Sequence, residues 1–428
     1  MDGLESRVFV DSAEQVLHRD LMKPRDGALG IALFDDKFVQ NPQPLYDEMH
    51  RRGPVHRIGD SDFYAVSSWE AVNEAVNRCD EFSSNLTATM MYGGDGTITP
   101  FVVGELGGPT QVLATADEPA HAVHRKALLP QLAAKHIRDL DQFVRETTMS
   151  LWDASVSEDR VEWMGAIANR LPMMVVGRII GVPAGDIDKL MAWGYTATHL
   201  VEGLASPAQM EAAGVAVMEL SGYITAKFQQ VEANPPPTLV GDLARACATG
   251  SLDNTAALLM MITLFSAGGE STASLLGSAA LLLATQPEIQ RQVRADPELL
   301  SNFLEEVLRY EPPFRAHYRH VVHDTELCGV ELPAGSGLLL LWGAANRDPA
   351  HFDDPNTFKL NRLSNKGHLS FGKGVHFCVG AALARLEAKV VLTHLIGRTS
   401  SLTVANTGRW LPSLLVRRLE HLDLIVAP

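Results

Sequence analysis

Residues 255–284 carry a single charge, Glu270, and this stretch limits the architectures open to the chain more than any other. A membrane-spanning helix needs about 20 uninterrupted apolar residues, and a carboxylate at its centre is costly. Here Glu270 splits the stretch into two apolar runs of fewer than eighteen residues, with Gly268, Gly269, Ser271 and Thr272 crowded around it. A helix apolar on every face is equally the central helix of a large soluble protein. The segment is therefore expected to be a buried helix with the rest of the fold built around it, and no membrane anchor is expected.

The remainder of the chain supports that expectation. Its 428 residues are 46% hydrophobic and 20% charged, enough apolar material for a large core. Residues 54–67 read as two short strands around a turn. Residues 93–108 hold six glycines and read as a long mobile loop. Residues 119–230 are mostly helical by apolar periodicity, with breaks near Pro183 and Pro207. Pro235-Pro236-Pro237 is a stiff connection, a later helix ends at Pro312-Pro313, and strand-like runs follow at 319–341 and after Trp410. No linker divides the chain, so residues 1–428 are expected to form one domain, mainly α with a small β region, with 1–30 as a flexible extension. A net charge of −15 argues against a nucleic-acid surface. Four scattered cysteines and a polar N-terminus without a leader point to the cytoplasm.

One of those cysteines stands apart. Cys378 lies in Phe371-Gly-Lys-Gly-Val-His376-Phe-Cys378-Val-Gly380, directly before a helical pattern. A helix N-terminus places N–H groups and partial positive charge beside the sulfur, favouring thiolate. Glycines let a flat ligand approach the backbone. Without a second nearby cysteine, zinc and iron–sulfur clusters are disfavoured, whereas a single thiolate suits haem. The competing reading is a buried free cysteine. The run F-x-x-G-x-[HR]-x-C-x-G, however, resembles the haem-ligand signature of the cytochrome P450 family.

Further motifs extend the resemblance in order along the chain. Asp117-Glu-Pro-Ala-His121-Ala-Val-His-Arg125 is similar to the family's D-x-P-x-H-x-x-x-R pattern. With Arg319 and His376, His121 and Arg125 are thereby implied as haem propionate partners. Ala267-Gly268-Gly269-Glu270-Ser271-Thr272 resembles the oxygen-binding motif A-G-x-[DE]-T-[TS], with Ser271 in place of the usual threonine. Glycines inside a helix cost roughly 1 kcal/mol each, which suggests either a distorted turn against a small molecule or close helix packing. Glu306 and Arg309, three apart on a helix, resemble the E-x-x-R pair. With Arg362 they are implied as a buried structural network.

The resemblance implies a P450 fold with haem b held between the central helix and the cysteine-loop helix. Cys378 is then the axial ligand, with Ala267, Gly268, Phe371 and Gly380 around the cofactor. Glu270, Ser271 and Thr272 are implied in proton delivery. Pocket residues expected by position are Met90, Met91, Thr263, Ser266, Phe314, Leu415 and Val416, and their character suggests an apolar substrate. The type is that of soluble, actinobacterial-like members: a monooxygenase using O₂, with electrons from a ferredoxin and its reductase. Lys126, Lys366, Lys373 and Arg385 form the expected docking patch. A peroxide-using member of the fold and a non-catalytic haem-binding ligand sensor are the alternatives.

Overall fold

The computed structural model describes residues 27–103, 111–362 and 367–428. Of the expected extension, residues 1–26 lie outside the described part, as do Gly104, Gly107, Gly108 and Lys366. The architecture is mainly helical with small sheets. Its axis is one unbroken helix, Asn254–Thr285. Asp253 starts it by accepting hydrogen bonds from the Thr255 and Ala256 amides, and Pro287 follows its end. Leu275, Leu276, Ala279, Ala280 and Leu283 pack into one core with Trp163, Ile167, Phe303 and Val391. The apolar stretch is thus long enough to cross a membrane, but its residues are spent on protein contacts instead.

Two more helices matter to the site. Leu299–Tyr310 carries the paired Glu306 and Arg309, and Ala381–Arg398 follows Cys378. Arg170–Ile180, Ile187–Ala197 and Pro207–Val231 also pack against the central helix. Pro207 occupies the first turn of its helix behind a Ser206–Gln209 capping box, so the expected break there is a helix start.

The main sheet has five strands, in the order Val55–Arg57, Phe63–Val66, Gly337–Leu340, His317–Val321 and Phe82–Ser83. The first two form the expected hairpin, with Val55 opposite Val66. A second sheet joins Ser401–Thr407, Leu422–Ala427 and Arg160–Glu162. One expectation needs correction. The glycine-rich segment is not a loop over its first half. Ile98–Val102 pairs with Ala88–Tyr92, and Gly94 and Gly96 take φ of +78° and +94° to form the turn between them. The glycines mark a hairpin reversal there.

Candidate active site

The cysteine loop is held by its own backbone. The Cys378 amide donates to the Phe371 carbonyl at 2.8 Å, and Gly372 and Gly374 adopt φ near +67° and +68°. The loop closes on itself, with Phe371 and Cys378 at its two ends. Burial pushes the Cys378 thiol pKa up, while the N–H groups of Gly380 and Ala381 and the charges of Arg125 and Arg385 pull it down. The sulfur is enclosed by protein yet accessible, because it opens onto an internal cavity.

Into the same cavity face His121, Arg125, Arg319 and His376. Their sequence separation is large, and different elements bring them there. His121 and Arg125 lie one turn apart on Ala120–Leu128, Arg319 projects from the main sheet, and His376 belongs to the cysteine loop. Arg125 also braces that loop, donating to the Phe377 carbonyl at 2.8 Å and the Val375 carbonyl at 3.3 Å. The imidazoles of His121 and His376 sit 4.2 Å apart. Among the described residues, neither Arg125 nor Arg319 has a carboxylate within ion-pair distance, and His376 Nδ1 is buried without a partner. Burial lowers the Arg319 pKa to about 10 and the His376 pKa to about 4. This is a cluster built to receive anionic oxygen.

The central helix contributes Thr263, Leu264, Ala267, Gly268, Ser271, Thr272 and Leu275 to the cavity. Ser271 Oγ donates to the Ala267 carbonyl at 2.7 Å. The two glycines have separate reasons. Gly268 faces the cavity, whereas a Cβ on Gly269 would stand 2.0 Å from the Met173 sulfur, so that glycine exists for helix packing. Glu270 does not face the cavity. Two residues past Gly268 is a rotation of roughly 200°, which turns its carboxylate towards Arg418, whose Nε lies 3.1 Å from Oε1. Burial raises the Glu270 pKa to about 7, with Arg418 opposing the shift.

Glu306, Arg309 and Arg362 form a fully assembled triad. Arg309 binds both oxygens of Glu306, at 2.9 and 2.8 Å, and Arg362 Nε sits 3.0 and 3.1 Å from the same pair. Arg309 also donates to the Asn346 carbonyl at 2.9 Å. Asn346 in turn binds the Leu369 amide at 2.7 Å and Ser370 Oγ at 2.8 Å. The triad therefore holds the entry to the cysteine loop through one intermediary residue.

Comparison with known proteins agrees with this geometry. Cytochrome P450 144 of Mycobacterium tuberculosis (strain ATCC 25618 / H37Rv) is 59% identical over 417 residues, covering 97% of this chain and 96% of the relative. The chain belongs to the cytochrome P450 family. The family model for cytochrome P450 matches residues 207–403. Cytochrome P450 107B1 of Saccharopolyspora erythraea is 32% identical over 403 residues, covering 92% of this chain and 96% of that one. Among solved structures, the ligand-free CYP164A2 of Mycobacterium smegmatis superposes with a TM-score of 0.84 at 26% identity, covering 94% of this chain and all of that one. The P450 fold and a haem-thiolate cofactor follow. The residues present fit that cofactor: one cavity-facing thiol, and two guanidinium groups without a carboxylate and the unpartnered Nδ1 of His376, all of which two propionates would satisfy, while His121 Nδ1 already meets Glu118 Oε1 at 2.9 Å.

All nine residues expected around the P450 cofactor line this cavity: His121, Arg125, Ala267, Gly268, Arg319, Phe371, His376, Cys378 and Gly380. Of the expected pocket residues, Thr263 and Phe314 do so as well. The other five do not line it. Met90 is packed in the core beside Leu33 and Phe34, and Met91, next along the strand, points outward. Ser266 is turned away for the same rotational reason as Glu270. Leu415 and Val416 are core residues, Val416 bridging to the Phe314 backbone.

Three features went unread in the sequence. His317 lines the cavity two residues before Arg319, on the same strand face. The period of two could have indicated it. Glu387 is buried on the cysteine-loop helix with one oxygen unpartnered, and burial alone raises its pKa. The Arg418–Glu270 contact spans 148 positions and has no local signal.

Proposed function

We propose that this P450 is a single-domain cytoplasmic enzyme that inserts one oxygen atom from O₂ into an apolar small molecule of lipid, sterol, terpenoid or polyketide-like character. The observation that carries this reading is one cavity that brings the Cys378 thiol, Arg125, Arg319, His121 and His376 together with the Ser271 and Thr272 hydroxyl groups in a largely apolar lining. Cys378 would be the axial ligand, with Arg125, Arg319, His121 and His376 taking the propionates. The cofactor, once bound, supplies the activation of O₂.

The chain's own residues supply order and protons. The N–H groups of Gly380 and Ala381 stabilise negative charge on the sulfur. Ser271 and Thr272 present hydroxyl groups to the cavity, and rotation of Ser271 away from the Ala267 carbonyl frees it to donate. Glu270, titrating near neutrality, holds an exchangeable proton one residue away. Leu264, Leu275, Leu308 and Phe314 keep the space dry.

Electrons are proposed to come from a ferredoxin and its reductase, docking where Lys126 and Lys373 are exposed among Val123, Leu129, Val375 and Phe377. Arg385, placed in that patch by the sequence, is engaged elsewhere. Its guanidinium grips Glu305 at 2.6 and 2.8 Å and lies over the Phe371 ring.

Visible-absorption titration of the ferric protein against fatty acids, sterols, terpenoids and macrolactones tests the substrate reading. A low-to-high-spin shift with one class identifies it. No shift from any class, with haem retained, would overturn it in favour of a haem-binding sensor. Cys378→Ser is expected to abolish the thiolate-type spectrum of the reduced CO complex, and an unchanged spectrum would overturn the ligand assignment.

A further inference from the structure

Glu270 belongs to a cluster that runs outward from the central helix. Its Oε1 is held by Arg418, whose guanidinium lies 4.6 Å over the Tyr195 ring. Its Oε2 is buried without a hydrogen-bond partner, and the Thr198 side chain is among the groups that act on this carboxyl. Thr198 Oγ1 donates to the Tyr195 carbonyl at 2.8 Å and lies 3.4 Å from Glu202 Oε1. Glu202, itself only 5% exposed, has Oε2 2.6 Å from Nδ1 of His199. The His199 side chain is 30% exposed and reaches solvent. Polar groups therefore lead in sequence from a half-exposed imidazole to the inner carboxylate.

A purely structural clamp is the simpler reading, and charge argues against it. The titratable groups facing one another here are Glu270, Glu202, Arg418, His199 and Tyr195. Two carboxylates against one guanidinium leave an excess negative charge in a dry place. The cluster is neutral only when it binds one more proton, on His199 or on a carboxylate. A clamp has no need of that surplus, whereas a proton store does.

We propose that His199, Glu202 and Thr198 are the route by which solvent protons reach Glu270. The proposal rests on the reading of Glu270 as the group that delivers protons to the cavity. His199 takes a proton from water at Nε2 and releases the one on Nδ1 to Glu202. The Glu202 carboxyl passes a proton to the Thr198 hydroxyl, which turns away from the Tyr195 carbonyl and gives its own hydrogen to Glu270 Oε2. One proton enters and one arrives, and only O–H and N–H bonds change. Arg418 keeps its proton throughout and, by occupying Oε1, leaves Oε2 as the receiving atom.

The test uses the haem-loaded full chain with His199→Gln and Glu202→Gln. Both are expected to turn over about a hundredfold more slowly, at the low end of the range general acid–base steps contribute. Both should show a larger solvent deuterium isotope effect and a shifted pH profile, with the ligand-induced spin shift and reduction rate unchanged. A structural role would not move the isotope effect. His199 is half-exposed, so its variant keeps the test open if Glu202→Gln folds poorly. Wild-type rate and isotope effect in His199→Gln, alongside a slow Glu270→Gln, would overturn the route and leave Glu270 in place. A Glu270→Gln variant as fast as wild type would overturn the reading of Glu270 itself, and the route with it.

Discussion

Replacing Glu306 with alanine should cost far more than the loss of an ordinary ion pair. The Glu306 and Arg309 side chains are fully buried and that of Arg362 nearly so. The carboxylate accepts two bonds from Arg309, bonds to Arg362, and one from the Lys359 amide at 2.9 Å. Its removal strands two guanidinium groups in the interior. They keep their bonds to the carbonyls of Asn346, Pro355 and Thr357, but lose their counter-charge. Breaking a buried pair costs on the order of 3–5 kcal/mol, a large share of the roughly 5–15 kcal/mol that holds a typical domain together. Equilibrium urea denaturation followed by far-ultraviolet circular dichroism measures the loss. If uncompensated charge is the cause, replacing all three residues with methionine should cost less than Glu306→Ala alone. A loss below about 1 kcal/mol, the level of a surface pair, would refute the reasoning. So would a triple variant worse than the sum of its parts.

Three other outcomes are expected. Gly269→Ala should destabilise by about 1–3 kcal/mol through overpacking, with Met173→Ala in the same chain restoring part of it, both read by denaturation midpoint. Glu270 titrates higher in the folded chain than in the unfolded one, so its contribution to stability is full below pH 4.5 and lost as pH rises through about 7. The stability of wild type relative to Glu270→Gln should accordingly fall across that window, by roughly 3 kcal/mol, and a flat difference would contradict the burial argument. Arg319→Met should release haem to an acceptor protein roughly ten- to a hundredfold faster, the equivalent of one charge-assisted bond, and an unchanged rate would remove Arg319 from the propionate set.

What the sequence disclosed follows from range. Cys378, His376 and Phe371 share one short loop, and His121 and Arg125 share one helical turn. Local spacing therefore carried their chemistry, and the cavity unites them. The E-x-x-R pair was legible for the same reason. Faces of the central helix were harder. One residue of error is 100° of rotation, enough to place Ser266 and Glu270 on the wrong side. Gly269 was ambiguous because the sulfur that excludes a side chain there belongs to Met173, on another helix. Arg418, Glu202 and His199 became a cluster only through tertiary contacts, and nothing near Glu270 in sequence announced them. Within the glycine-rich segment, composition suggested mobility, but a strand pairing overrode it.

The scattering of the anion-binding cluster has a consequence for biosynthesis. Arg125 and Cys378 both contact the same cavity, yet roughly 250 residues of chain must be made between them. At 5–20 residues per second this takes on the order of 10–50 s. For that interval the nascent polypeptide carries half of a cofactor pocket, with its apolar lining exposed and no thiol to close it. The cofactor can therefore meet its full set of ligands only once the last helices emerge, and chaperone cover of the unfinished pocket matters until then.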